Sequence, residues 1–103
     1  MSGLEVHTDA GAVGGRRIDD LAAWRGIPYA APPVGPLRLR APHPVEPWSG
    51  VRRAFYFGSP APQGSGTDED CLTLNVLAPG SPSATPRPVM VFIPGGAYSG
   101  GTS

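Results

Sequence analysis

The chain has 103 residues, 40% of them hydrophobic, and a formal net charge of zero from eight basic and eight acidic residues. Without a basic excess or a basic stretch interleaved with aromatic residues, nucleic acid is excluded as an expected partner. No apolar stretch approaches the roughly 18 residues that span a bilayer, so no membrane partner is expected. The 15 glycines and 14 prolines approach the content of disordered chains, but compact apolar runs between turn residues predict a turn-rich folded segment.

The sequence also bears on the cellular location of the protein and on its arginine doublets. The N-terminus has neither a basic start nor an apolar stretch of the kind that forms a secretory signal, and the single cysteine, Cys71, cannot form an internal disulfide. We therefore expect a cytoplasmic protein. The arginine doublets at 16–17 and 52–53 are short and predict solvated faces.

The first third of the chain predicts short antiparallel strands. Residues 5–8, 12–18 and 21–27 are strand-like and are separated by turn residues, a pattern typical of a meander. Residues 28–47 contain seven prolines, which fix φ and remove ladder donors, so this segment can be neither a helix nor a central strand. Apolar anchors favour an ordered surface loop over a flexible linker. These anchors are Tyr29, Val34, Leu37, Leu39 and Trp48.

Two further strands are predicted in the second half. Residues 71–77 alternate, with Leu72, Leu74 and Val76 on one face. Residues 89–93 read Val-Met-Val-Phe-Ile, a continuous apolar run typical of a strand buried on both faces of a parallel sheet. No segment has helical periodicity, so no layer that could cover this sheet is visible, and we expect exposed apolar surface at 89–93 and a tendency to aggregate.

A glycine-rich loop, Pro-Gly-Gly-Ala-Tyr-Ser-Gly-Gly, follows this run at residues 94–101. A phosphate-binding P-loop would need a lysine where Gly101 stands. A dinucleotide-binding loop would need a glycine where Ala97 stands. The third interpretation is the oxyanion loop of an α/β-hydrolase, in which backbone N–H groups face a developing negative charge.

Four segments in sequence order resemble the type-B carboxylesterase/cholinesterase family. Residues 24–39 (WRGIPYAAPPVGPLRL) are similar to its F-x-G-I-P-Y-A-x-P-P-V-G-x-x-R-F stretch, and residues 47–52 (PWSGVR) to its P-W-x-G-V-R/K turn. Residues 69–76 (EDCLTLNV) resemble the E-D-C-L-x-L-N-V signature, and residues 95–98 resemble its glycine loop. The resemblance implies an α/β fold in which residues 1–103 are the N-terminal fragment of a single hydrolase domain. This fragment would supply the first strands of the sheet and be mostly β and loop, with little helix.

The resemblance also implies an activity and site residues. The family hydrolyses small carboxylic esters by acyl transfer through a serine, without a cofactor or a metal. In its glycine loop, the backbone N–H groups of the second glycine and of the small residue after it donate hydrogen bonds to the oxyanion. The resemblance places these two donors at Gly96 and Ala97. The family pairs the arginine of the first stretch with the glutamate of the E-D-C signature, which implies an ion pair between Arg38 and Glu69.

Three positions depart from the family pattern. Pro94 stands where a histidine usually precedes the glycines, and Ala61 stands where the family has its first cysteine. The usual disulfide to Cys71 therefore cannot form, and Cys71 is expected to be a buried apolar thiol. The loop at 64–70 is shorter than its family counterpart, which implies a different rim of the acyl gorge.

The groups that would carry nucleophilic catalysis are not found in the sequence. No G-x-S-x-G elbow occurs, and Ser65 and Ser99 lack its spacing or its first glycine. The only histidines, His7 and His43, are expected to be solvent-exposed or structural. We therefore expect the isolated chain to be inactive and to need a C-terminal portion of the hydrolase as a partner. A non-catalytic binding or adhesion homologue and a truncated product without function remain alternatives.

Overall fold

A computed structural model describes residues 4–63, 68–81 and 83–95 as short strands joined by long loops. In chain order, the elements are β1 (Glu5–His7), β2 (Ala12–Gly14), β3 (Arg16–Ile18), β4 (Leu21–Pro28), a 3₁₀ helix (Gly35–Leu37), β5 (Val51–Arg53) and β6 (Thr73–Pro79). The described ranges contain no α-helix, as predicted for this segment. Accordingly, no helix in them is long and apolar enough to cross a membrane.

The strands form two three-stranded sheets, in the orders β1-β2-β5 and β3-β4-β6. Pairing is antiparallel between β1 and β2, between β3 and β4, and between β4 and β6, which confirms much of the predicted meander. The pairing of β2 with β5 is parallel, with Ala12 opposite Val51. This pairing was not predicted, and neither was β5.

The single strand predicted at 12–18 is wrong, because the chain leaves the first sheet at Gly15 and enters the second. The Gly15 N–H donates to the Leu4 carbonyl at 2.8 Å. A Cβ atom at position 15 would lie 2.7 Å from the Ala23 carbonyl oxygen and from the Trp24 ring. Only glycine allows this approach, so the crossing from β2 to β3 requires a residue without a side chain.

A second glycine shapes the long strand β4. The pairing register of β4 with β6 shifts between Trp24 and Ile27. Gly26, inside this irregularity, has φ +70 and donates its N–H to Asn75 Oδ1 at 3.0 Å. A Cβ atom there would lie 2.6 Å from the Tyr56 carbonyl oxygen. The bulge therefore brings β4 close to the loop that follows β5.

The core lies where the two sheets meet. Its buried members come from both sheets and their flanks, and they are Leu4, Val13, Ala22, Trp24 and Ala54. The Trp24 indole N–H donates to the Leu4 carbonyl at 2.9 Å, so the one polar atom of this large side chain is satisfied inside the core. Ile27, Trp48 and Ala78 pack against the cluster from its edge.

The proline-rich segment forms a loop with only the 3₁₀ helix as regular structure, as predicted. It is held by the hydrogen bonds from Ala31 N to the His43 carbonyl and from Trp48 N to the Ala10 carbonyl, both 2.9 Å long. Three predicted anchors are wrong, since Tyr29 is 56%, Val34 43% and Leu39 92% exposed. Ala30, which is buried, anchors the start of the loop instead.

The two later apolar segments lack the burial that their patterns predicted. Residues 89–93 form no strand, and their exposed fractions run from 74% at Phe92 to 92% at Met90. A strand needs a hydrogen-bonding neighbour, and among the described residues none pairs with this segment. In β6 the predicted apolar face is outward, with Leu74 41% and Val76 43% exposed. Because nothing in the described ranges covers these segments, the expected exposed apolar surface is present.

Candidate functional site

The predicted oxyanion donors, Gly96 and Ala97, lie outside the described residues. The described residues extend to Gly95, directly before Gly96. Pro94 is half-buried and Gly95 is exposed. A Cβ atom added at Gly95 would meet nothing within 4 Å.

The structure brings Arg38 and Glu69 together. Arg38 Nε donates to Glu69 Oε1 at 2.7 Å, a charge-assisted hydrogen bond between residues 31 positions apart. It ties the middle of the proline-rich loop to the segment just before β6. The two side chains are 61% and 42% exposed, so water competes for both charges. The pair therefore positions two loops and adds little to the free energy of folding.

The 3₁₀ helix sets the direction of Arg38. Pro36 occupies its first turn, and the Arg38 N–H closes it by donating to the Gly35 carbonyl at 3.1 Å. Arg38 itself is extended, with φ −64 and ψ 133. Leu39 follows with φ +62, a conformation that costs a bulky residue about 1 kcal/mol or more. The chain turns sharply at Leu39, directly after the arginine that contacts Glu69.

The segment beside Glu69 is organised around Asp68. Its carboxylate accepts hydrogen bonds from the Asp70 N–H and from the Ser59 hydroxyl, both at 2.9 Å. These bonds, the backbone one first, hold the pKa of Asp68 below its ordinary value. A depressed folded-state pKa stabilises the fold above the unfolded pKa, and this contribution is lost as the pH falls through the folded value.

Cys71 is a free, half-buried thiol. Burial raises its pKa, and the nearby carboxylates of Asp68, Asp70 and Glu69 raise it further. The thiol is therefore protonated at neutral pH and is a weak nucleophile. Its partial burial is less complete than the sequence predicted.

Neither histidine is placed as a catalytic base. The His7 side chain is 80% exposed, with Nε2 3.7 Å from Glu5 Oε1, and His43 is exposed. Ser65 and Ser99 lie outside the described residues. In the part of the chain that the structure describes, no cluster of three or more His, Cys, Asp or Glu residues could hold a metal ion.

A cleft that was not predicted lies between β4, β5 and the loops that follow Phe55 and precede β6. Its volume is about 310 Å³, and its walls include Arg25, Arg52 and Arg53 together with Asp68 and Asp70. The only sequence signal was the doublet at 52–53, which was interpreted as a solvated face. The pairing of β5 with β2 brings this doublet to the cleft beside β4.

A double-mutant cycle tests the positioning role of the Arg38–Glu69 pair. With Arg38→Gln and Glu69→Gln, we expect a coupling free energy of about 0.2–1 kcal/mol from urea unfolding curves, because the pair is largely solvated. The coupling should shrink in about 1 M salt, where the Debye length is near 3 Å. Arg40→Gln is the matched control, since Arg40 is exposed and two residues further on. Equal coupling of Glu69 to Arg40 would contradict the assignment.

Known proteins resemble this chain along nearly its whole length. The model of the carboxylesterase family matches residues 2–103. The chain is 47% identical over 111 residues to phenmedipham hydrolase of Pseudarthrobacter oxydans, covering 94% of this chain and 22% of that protein. It is 44% identical over 104 residues to para-nitrobenzyl esterase of Bacillus subtilis, covering 90% and 21%. It therefore spans about a fifth of the length of the curated relatives that it matches.

Solved structures agree with this. A thermophilic PNB esterase superposes with a TM-score of 0.87 at 42% identity, covering 94% of this chain and 22% of that one. The Geobacillus stearothermophilus carboxylesterase EST55 superposes with a TM-score of 0.86 at 37% identity, covering 93% and 20%. The strands and loops described above match the N-terminal part of the esterase α/β-hydrolase fold, which confirms the predicted fold class. The chain belongs to the carboxylesterase family.

Proposed function

We propose that residues 1–103 are the N-terminal part of a single α/β-hydrolase domain that hydrolyses small carboxylic esters by acyl transfer through a serine. The observation that carries this proposal is the match of the carboxylesterase family model to residues 2–103. The relatives reported above are named as hydrolases or esterases, which supports ester hydrolysis. Serine acyl transfer uses only protein groups, so the proposed reaction needs neither a metal nor a cofactor.

In this proposal the loop after residue 93 stabilises the transition state. Attack on an ester carbonyl turns its oxygen into an oxyanion, which must meet hydrogen-bond donors that are already in place. The backbone N–H groups of Gly96 and Ala97 would be two of these donors, with a third from the residue after the serine. Small residues suit these positions because the substrate carbonyl has to reach the main chain.

The described residues would act as the frame of this loop. The pairing of β4 with β6 and the Arg38–Glu69 bond join segments that are far apart in sequence. They would fix the position of β6, from which the chain continues through residues 83–95 to the loop. The exposed apolar residues at 89–93 and on β6 would be buried by the C-terminal portion of the hydrolase, which is the proposed partner and the source of the serine, the acid and the histidine.

The proposal predicts that activity appears only when this chain is joined to the rest of a hydrolase. The purified 103-residue chain is expected to hydrolyse p-nitrophenyl acetate no faster than a heat-treated control. A hybrid enzyme, in which the chain replaces the matching N-terminal fifth of the Bacillus subtilis para-nitrobenzyl esterase, is expected to turn this ester over. The unmodified esterase is the matched control for expression and folding.

Each half of this experiment can fail separately. Turnover by the isolated chain would contradict the assignment of the serine, acid and histidine to residues outside it. A hybrid that is monodisperse and unfolds cooperatively, like the unmodified esterase, but turns over no ester would contradict the proposed esterase function.

A further inference from the structure

The arginine-lined cleft is separate in its chemistry from ester hydrolysis. Arg25 projects from β4, whereas Arg52 and Arg53 belong to β5. The Arg25 N–H donates to the Ala54 carbonyl at 2.7 Å, which holds β4 against the residue that follows Arg53. Three arginines from two neighbouring backbone segments therefore line one cleft of about 310 Å³.

Two of these guanidinium groups are held in place by aromatic rings. The Cζ atom of Arg25 lies 4.3 Å from the centroid of the Phe57 ring, and that of Arg52 lies 5.5 Å from the centroid of the Trp48 ring. A guanidinium group over a ring face keeps its N–H donors free along its edge. Stacking also limits the side-chain freedom that would be lost when a ligand binds.

None of these arginines forms an ion pair within 4.0 Å with another residue that the structure describes. Among the described residues, the only ion pairs within 4.0 Å are those of His7 with Glu5 and of Arg38 with Glu69. Asp68 lines the same cleft, but its carboxylate is bonded to the Ser59 hydroxyl and the Asp70 N–H. With three arginines against two aspartates, the lining has one positive charge in excess.

We propose that this cleft binds the oxyanion of a small organic ligand, a carboxylate or a phosphate group. The edge of the Arg25 guanidinium matches the paired oxygens of either group, and Arg53 supplies a second cation from the neighbouring strand. Tyr56 and Phe57, 77% and 56% exposed, offer apolar surface for the remainder of the ligand. The volume is at the lower end of the range for small-molecule sites, which suits a ligand of one ring.

The test is a titration of the 103-residue chain with inorganic phosphate and with benzoate, followed by amide chemical shifts. Sodium chloride at matched ionic strength corrects for screening. We expect saturable shifts at residues of the cleft with at least one of the two probes. Tighter binding of phosphate would identify a phosphate group, and tighter binding of benzoate a carboxylate attached to a ring; either result supports the proposal.

Three variants make the result specific. Arg25→Gln and Arg53→Gln are each expected to weaken binding about tenfold or more, because each removes charged donors to the anion. Arg40→Gln, an exposed arginine outside the cleft, should leave the affinity unchanged. Arg53 is exposed and takes part in no ion pair or ring contact among the described residues, so R53Q tests the site even if R25Q unfolds. Absence of saturable binding of both probes, or equal affinities in R53Q and R40Q, would overturn the proposal.

Discussion

Replacing Ala97 by proline in the hybrid enzyme is expected to lower kcat for p-nitrophenyl acetate by about 10²–10³-fold, with a much smaller change in KM. Proline has no backbone N–H, so the substitution deletes one proposed oxyanion donor and leaves the others. The loss should fall on kcat because the negative charge develops in the transition state and is small in the bound ester. Steady-state kinetics over a range of ester concentrations separates the two parameters.

A matched control distinguishes a lost donor from a disturbed loop. Ala97→Gly keeps the N–H group and removes only a methyl group, so its kcat should stay close to that of the parent hybrid. Thermal melting of both variants checks that the remainder of the enzyme is folded. If A97P retains the parent kcat, or if A97G loses as much activity as A97P in a stable protein, Ala97 is not the donor that the resemblance implies.

The strands that were predicted correctly are those whose pattern is local. Turn residues separate β1 from β2 and β3 from β4, and each of these pairs is a hairpin with close partners in sequence. The break at Gly15 was missed because its cause is the Trp24 ring, a contact made only after folding. β5 was missed because Val51–Arg53 has no alternation of its own, and becomes a strand through its parallel pairing with β2.

Apolar patterns indicate which residues would be stabilised by burial but do not identify what buries them. The run at 89–93 and the alternation in β6 both predicted inward faces, yet Val91 is 80% exposed and Val76 is 43% exposed. Asn75 shows the reverse: it is half-buried, and its side chain accepts the Gly26 N–H at 3.0 Å. The side of β6 that faces the described part of the chain is the one that contains polar groups.

Some features of the candidate site were predicted from the sequence, and others were not. Arg38 and Glu69 are 31 residues apart, and neither periodicity nor composition links them; only the family resemblance placed them together. The assignment of Gly96 and Ala97 has the same origin. The cleft could not have been found in this way, because its cations come from β4 and β5 and their approach depends on a backbone contact at Ala54.

Truncating Trp24 to alanine is expected to lower the free energy of unfolding by about 3–5 kcal/mol. Trp24 is 9% exposed and packs with Leu4, Val13 and Ala54 where the two sheets meet. The glycine at position 15 allows the chain to pass directly against its ring, so no nearby side chain could fill the space that it leaves. Small domains have a free energy of unfolding of about 5–15 kcal/mol, so this loss is a large share of the total.

Two further variants separate the apolar contribution of Trp24 from its hydrogen bond. Trp24→Phe keeps a buried ring but removes the indole N–H that donates to the Leu4 carbonyl at 2.9 Å. That carbonyl still accepts the Gly15 N–H, so the loss should be that of one hydrogen bond, about 0.5–1.5 kcal/mol. Phe92→Ala removes a ring that is 74% exposed and should change the free energy of unfolding by less than about 0.5 kcal/mol. Urea unfolding followed by far-UV circular dichroism gives all three values without using tryptophan as the probe. If W24A were no more destabilising than F92A, the contacts at Trp24 would not hold the two sheets together, and the frame proposed for the oxyanion loop would have to depend on the C-terminal portion alone.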